Sequence, residues 1–175
     1  ARPEPPAVAP ILREVIVTAT RRDAVALRLP DAISVISGER MSEMRQTGLG
    51  DLSGSAPGVT VTNLGPVSDK VIIRGLSDGG LTTHTQSTVG LYLDDVRLTY
   101  NAPDPDLRLV DVDQVEVLRG PQGALYGSGS MAGVVHIVTR QPELDRFDGL
   151  LSLTAAGMAH GGPTGVVEGV VNLPV

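Results

Sequence analysis

The chain has 175 residues, 14 basic and 20 acidic side chains, and a formal net charge of -6. That balance argues against nucleic-acid binding, which calls for a basic field, and the absence of cysteine excludes disulfide scaffolds and thiolate metal sites. Apolar residues make up 41 %, enough for a packed core, but only Tyr92, Tyr100, Tyr126 and Phe147 are aromatic. Four aromatics cannot supply the interfacial girdles of a complete membrane barrel, and no run of about 18 apolar residues offers a spanning helix.

Residues 1–13 contain Pro3, Pro5, Pro6 and Pro10 and read as an extended linker. In polyproline geometry they reach about 40 Å. They carry no charged-then-apolar leader, so no signal peptide is expected in them. Residues 14–20, Glu14-Val15-Ile16-Val17-Thr18-Ala19-Thr20, form a short β-prone run on that tether. Such a run suits pairing with another chain's sheet edge, or serves as an ordinary edge strand of its own domain.

A first strand is expected over 32–36. Ser37 then caps a helix over 39–46 that stops at Gly48. A further helical turn over 51–55 ends before Pro57-Gly58. Strands follow at 59–63 and at 71–73, the latter closed by Arg74-Gly75. Residues 76–88 are loop. Strands at 89–93 and 96–98 are broken at Asp94-Asp95, and 101–106 is a second loop. Residues 115–119 alternate as a strand. Gly120-Pro121 opens a short helix with proline at its first position. After a Gly/Ser-rich stretch, 134–139 is the strongest β run in the chain. Residues 146–175 alternate around the turn 157–165 and read as a hairpin of two membrane-length strands, about nine to eleven residues each.

The candidate chemistry is sparse. Gly127-Ser128-Gly129-Ser130-Met131-Ala132 matches the dinucleotide pattern, but a β run follows it, so no helix offers its amides to a pyrophosphate. His84, His136 and His160 lie in three separate segments without zinc-ligand spacing. His136, inside the strongest β run, reads as a hydrogen-bonded interior residue. The acids Asp94, Asp95, Asp104, Asp106, Asp111, Asp113 and Glu116 read as a solvated face with loop caps. No enzyme, cofactor or metal is expected. Arg74 and Arg119 each end a β run and precede a glycine. They are surface residues, or they point into an interface and bind carboxylates there.

The motifs, in order, resemble the plug domain of TonB-dependent outer-membrane receptors. They are Pro57-Gly58-Val59, Ile73-Arg74-Gly75, Tyr92-Leu93-Asp94-Asp95-Val96, the run Val115-Glu116-Val117-Leu118-Arg119-Gly120-Pro121-Gln122-Gly123-Ala124-Leu125-Tyr126-Gly127, and Gly133-Val134-Val135-His136-Ile137-Val138-Thr139. Residues 14–19 resemble the family's TonB box. Two positions depart from its pattern: His136 stands where asparagine is usual, and 128–132 lack the common Arg-Asn.

The resemblance implies an α+β fold, a small mixed sheet of four to six strands with short helices over 21–145. It makes 146–175 the first hairpin of a barrel of about 22 strands. It implies an outer-membrane location in a Gram-negative bacterium, with the membrane reached only through the barrel. The implied function is uptake of a scarce nutrient, most often a ferric siderophore or other metal complex, energised by TonB. The TonB C-terminal domain would add as a strand to Glu14, Val15, Ile16, Val17, Thr18 and Ala19. Arg74 and Arg119 would pair with glutamates of the barrel. The apical loops 76–88 and 99–106 would offer Thr83, His84, Gln86, Tyr100 and Asn101 to the ligand. Twenty-two strands need at least about 200 residues, more than this chain holds. A piece of a longer receptor is therefore expected, or a short gene product acting as a plug-like signalling or partner-binding module without its own barrel.

Overall fold

The structure is a computed structural model that describes residues 15–19, 21, 24–25, 32–62, 64, 69–78, 85–99, 101, 103–157 and 161–174. Its centre is a five-stranded mixed sheet of β3 (Ala32–Ser37), β6 (Val89–Leu93), β7 (Val96–Arg97), β8 (Val112–Arg119) and β9 (Gly133–Thr139), in the order β3-β8-β9-β6-β7. The pair β6/β9 is parallel and the other neighbours are antiparallel. Two short strands precede the sheet, β1 (Ile16–Val17) and β2 (Ala24–Val25), paired antiparallel. A small hairpin of β4 (Val59–Val61) and β5 (Val71–Ile73) packs beside it.

The first face of the sheet carries the main core. Ile36, Leu91, Val115, Val117, Val135 and Ile137 point to it and meet Met41 of helix α1 (Gly38–Glu43), Leu52 of helix α2 (Leu52–Ser55), and Val59 and Ile73 of the small hairpin. The alternation expected over 115–119 implied one solvated face. Instead Val115, Glu116, Val117 and Leu118 are all buried. A second cluster of Val17, Ala19, Tyr92, Leu118, Tyr126 and Val134 covers the opposite face.

Two helix boundaries differ from expectation, each for a local reason. Ser37 caps α1, its side chain accepting the Arg40 N–H at 3.3 Å. However, Arg45 adopts a left-handed conformation, φ 53°, and the Gln46 N–H turns back to the Met41 carbonyl at 2.9 Å. That closes the helix at Glu43. Pro121 does not open a helix, because the Gly120 and Gln122 amides are spent on the carbonyls of Ala132 and Ser130 at 2.9 and 2.8 Å. The helix, α3 (Gly123–Tyr126), begins only after that pairing ends.

The C-terminal hairpin pairs β10 (Asp148–Gly157) with β11 (Pro163–Asn172), ten residues each. Register puts all the polar side chains, Asp148, Ser152, Thr154, Thr164, Glu168 and Asn172, on one face beside Leu150, Val166 and Val170, and Leu151, Leu153, Val167 and Val171 on the other. The polar face turns toward the plug, where Glu168 accepts from Arg108 Nη2 and Nε at 2.6 and 2.9 Å. Leu151, Leu153 and Val167 are more than 70 % exposed. Among the described residues no helix is long and apolar enough to cross a membrane.

Gly133 is where β9 leaves the Gly/Ser-rich loop. Its φ is 155°, and a β-carbon there would lie 2.2 Å from the Leu118 carbonyl oxygen and 2.9 Å from Ile73 Cδ1. Gly133→Ala is expected to destabilise the chain by about 1–3 kcal/mol in denaturant unfolding. Gly157→Ala, where a β-carbon meets nothing within 4 Å, should stay within about 0.5 kcal/mol.

Candidate functional site

The second face of the sheet is a peptide-holding surface. Strand register lines up Val35, Glu116, His136, Tyr92 and Arg97 as one row across all five strands. The next row on that face holds Ile33, Leu118 and Val134. Residues 15–19 lie against it. Val17 and Ala19 have no exposure, while Val15 and Ile16 are 42 % and 52 % exposed. The β-prone run is thus seated on its own domain, with alternate side chains taken into the second core.

Polar groups fix the seating. Glu116 Oε1 accepts the Thr18 N–H at 2.8 Å and the Thr18 hydroxyl at 3.2 Å, and Oε2 accepts the Ala19 N–H at 2.6 Å. Gln114 Nε2 donates to the Ile16 carbonyl at 2.9 Å and to Glu116 Oε1 at 2.7 Å. The Tyr126 hydroxyl donates to the Ala19 carbonyl. Tyr126 is braced in turn by an edge-on contact with Tyr92 at 4.8 Å between centroids. The Tyr92 hydroxyl donates to the Tyr126 carbonyl at 2.8 Å.

His136 stands behind Glu116. Its Nδ1 is 3.2 Å from Glu116 Oε2 and its Nε2 is 2.9 Å from the Asp94 carbonyl oxygen. A carboxylate and a carbonyl are both pure acceptors, so only the doubly protonated ring donates to both. Burial alone would push the Glu116 carboxyl up. The His136 hydrogen bond, the Thr18 and Ala19 amides and the His136 charge together outweigh it and hold the group below its ordinary 4.5. Burial, with the nearby Glu116 charge, pushes the Tyr126 hydroxyl up to about 12. It therefore remains a donor at ordinary pH.

Glu116 and Asp104 do not belong to a solvated face. Glu116 has no exposure and Asp104 has 2 %. Both are buried because they satisfy main-chain amides distant in sequence: Glu116 those of Thr18 and Ala19, Asp104 that of Val71 at 2.8 Å. The legible signal for Glu116 was an acid in the middle of an apolar strand, opposite the one histidine of a neighbouring β run. Gln114 and Tyr126 gave no such signal.

The two arginines sit near one another at one end of the plug. Arg119 is the register partner of Gly133, and Ile73, next to Arg74, packs against Gly133. Arg74 is exposed, at φ 53°, and Arg119 Nη2 donates to the Ser34 hydroxyl. Among the described residues neither has a carboxylate partner. Of the apical-loop candidates, Gln86 and Asn101 are brought together by an antiparallel bridge and both are exposed. Thr83, His84 and Tyr100, like Glu14, lie outside the described residues.

A buried network braces these loops from below and was not foreseen. Lys70, the single lysine, contacts Asp78 at 2.9 Å, and the Thr85 hydroxyl donates to Asp78 at 2.6 Å. Burial opposes ionisation of Asp78, but the bonds from Thr85 and Lys70 and the lysine charge win and lower it. At Asp104 burial wins and the carboxyl is raised. Among the described residues no three His, Cys, Asp or Glu side chains gather as a metal site.

A mixed sheet with a few short helices is the architecture of the plug domains of outer-membrane receptors. Residues 26–134 match the TonB-dependent Receptor Plug Domain, and the chain belongs to that family, whose members are receptors rather than enzymes. It is 28 % identical over 132 residues to the ferrioxamine B receptor of Salmonella typhimurium, covering 73 % of this chain and 18 % of that protein. It is 33 % identical to the pesticin receptor of Yersinia pestis, covering 74 % and 19 %. The crystal structure of the ferric yersiniabactin uptake receptor of Yersinia pestis superposes with a TM-score of 0.59 at 29 % identity, covering 69 % of this chain and 18 % of that one. The ferripyoverdine receptor of Pseudomonas aeruginosa shares the fold, with a TM-score of 0.59 at 21 % identity and 79 % and 18 % coverage. The chain thus spans under a fifth of the length of these relatives.

Because the folded-state value of Glu116 is depressed, its contribution to stability is present above 4.5 and is lost as pH falls through the lower folded value. Glu116→Gln removes that contribution. The gap in melting temperature between the parent chain and Glu116→Gln is therefore expected to be widest near about pH 6 and to shrink toward about pH 3. A gap that does not change with pH would mean that the carboxylate charge is not what holds residues 18 and 19.

Proposed function

We propose that this chain is the plug and first barrel hairpin of an outer-membrane receptor that imports a scarce nutrient, a ferric siderophore or related metal complex. In this reading the linker 1–13 and the segment 14–20 face the periplasm. A TonB-type partner adds as a strand to residues 14–19 and delivers the energy for transport. Residues 21–145 close the barrel lumen, and 146–175 begin its wall.

The observation that carries the reading is the hairpin joined to a plug fold. Ten-residue strands match the length that crosses an outer membrane. Their apolar face is exposed where lipid would lie, and their polar face meets Arg108 of the plug. An exposed apolar face of this size marks a surface that lipid or a partner covers. In this reading Arg74 and Arg119, which have no carboxylate partner among the described residues, pair with glutamates of the barrel wall. The names of the relatives, receptors for ferrioxamine B and for ferric yersiniabactin, support an iron complex as the cargo. Gln86 and Asn101, paired and exposed in the apical loops, are the described residues best placed to touch it, with Thr83, His84 and Tyr100 beside them in sequence.

Strand addition relies on main-chain hydrogen bonds, so a proline within the run removes a donor without changing charge. A TonB C-terminal domain is expected to bind the chain, and Val17→Pro is expected to weaken that binding at least about tenfold, as one lost ladder bond of about 1.4 kcal/mol would. Titration calorimetry checks both, and equal affinities for parent and variant would sink strand addition at this segment.

A further inference from the structure

Three consecutive residues, Asp69, Lys70 and Val71, carry both apical loops. The Lys70 main chain is itself fixed: its N–H donates to the Thr62 hydroxyl at 2.9 Å, and its carbonyl accepts the Thr62 N–H at 3.1 Å. The loop at 99–106 is fastened to the main chain on either side of Lys70. The Asp104 N–H donates to the Asp69 carbonyl at 2.7 Å, and the Asp104 carboxylate accepts the Val71 N–H at 2.8 Å. The loop at 76–88 is fastened instead to the Lys70 side chain. Lys70 Nζ donates to Asp78 Oδ1 at 2.9 Å, and Asp78 Oδ2 accepts the Thr85 hydroxyl at 2.6 Å. Gln86 follows Thr85 and bridges Asn101 of the other loop.

We propose that Lys70 is the positioning residue of the ligand face: through its ion pair with Asp78 it sets Gln86 opposite Asn101, without touching cargo itself. This rests on the reading that these two residues meet the metal complex, and adds to it the group that pre-organises them. Lys70 is 2 % exposed while Gln86 and Asn101 are exposed, so the ammonium is a support beneath the face. Two carboxamides held at a fixed spacing lose less freedom on binding than two on independent loops.

The two fastenings respond differently to a change at Lys70. The bonds to Asp104 use the main chain of Asp69 and Val71 and do not depend on the Lys70 side chain. The bond to Asp78 is a buried ion pair, with side chains 3 % and 7 % exposed. Without the ammonium, Asp78 is an uncompensated buried charge and moves out toward water. Thr85 then loses its acceptor, and Gln86 leaves Asn101. The coupling runs in both directions: whatever joins Gln86 to Asn101 from above also tightens the ion pair below.

The chain has no cysteine and a single lysine, so both ends of the coupling can be read. Gln86→Cys/Asn101→Cys places two thiols at an antiparallel bridge, where paired Cα atoms lie about 4.5–5.5 Å apart, within disulfide reach. Their effective concentration against glutathione measures how firmly the loops are held together. On that background Lys70→Met is expected to lower it at least about tenfold, and Thr85→Val at least about threefold. Thr85→Val keeps the ion pair and removes only the loop-side donor, so the test survives if Lys70→Met misfolds. Glu116→Gln, which loosens the other face of the sheet, should leave the value within about twofold. Lys70→Met/Asp78→Leu leaves no charge of the pair unpartnered, so its melting temperature should recover toward that of the parent while the effective concentration stays low. In the other direction, closing the disulfide should slow acylation of the Lys70 amine, read by mass spectrometry, at least about fivefold.

An effective concentration unmoved by both Lys70→Met and Thr85→Val overturns the proposal. So does one that Glu116→Gln lowers as much, or that recovers together with stability in the double variant, because it then reports stability alone. An acylation rate indifferent to the disulfide overturns it as well. None of these measurements contains cargo, so they decide the role of Lys70 by itself. The reading beneath it is decided by titrating the parent chain with the gallium complex of desferrioxamine B and following the Gln86 and Asn101 amides by NMR. Shifts at both are expected, and shifts at neither would overturn that reading while the loop pairing still stands or falls on the thiols.

Discussion

One buried carboxylate organises the second half of this fold. Glu116 sits in the middle of β8, has no exposure, and is surrounded by an imidazole, a side-chain amide and two main-chain amides. Removing one partner of such a buried pair costs about 3–5 kcal/mol, because the other charge is left unpaired. The carboxylate therefore stays buried only while its donors stay in place. Two of those donors belong to the N-terminal segment, so burial of the charge and seating of residues 17–19 are one event. The apolar contacts of Val17 and Ala19 with Leu118 and Val134 follow from that seating.

The two faces of the sheet are consequently unlike in kind. The first is closed by elements of the same compact domain, through Met41, Leu52 and Ile73. The second is closed by a strip of chain about a hundred residues away in sequence and joined through polar contacts. The apical side shows a related design. Lys70, Asp78 and Thr85 tie the start and end of the loop at 76–88 together, while Asp104 holds the amide of Val71 below it. Both regions thus rest on a buried polar support.

Local chemistry made the strands legible. The β-branched run at Val71–Ile73, the strand Val89–Leu93 broken at Asp94-Asp95, and the long run ending at Thr139 all stand where alternation and turn residues put them. The hairpin was legible from its period-two pattern. Errors arose where a contact distant in sequence overrode a local preference. Pro121 is well suited to begin a helix, yet the pairing of Gly120 and Gln122 with 130–132 holds it extended. Glu116 in isolation is a surface residue, and only Thr18, Ala19 and His136 make it an interior one. The motifs pointed to the family, but the role of Gln114 and Tyr126 at residues 16–19 required coordinates, because each reaches back about a hundred residues along the chain.

The position of β3 has a mechanical consequence. It is the first strand of the main sheet in sequence and also lies at the sheet's edge, bonded only to β8 over six register pairs from Ala32 to Ser37. Tension applied at the N-terminus first reaches a segment docked on a face, which peels away without breaking a rung of the five-stranded ladder. The next load falls on an edge strand, which can unzip one rung at a time while β8, β9 and β6 remain joined. For the docked segment and β3, the order along the chain thus matches the order in which they can be removed. A pull from that end would dismantle the domain in stages, leaving the central strands for last.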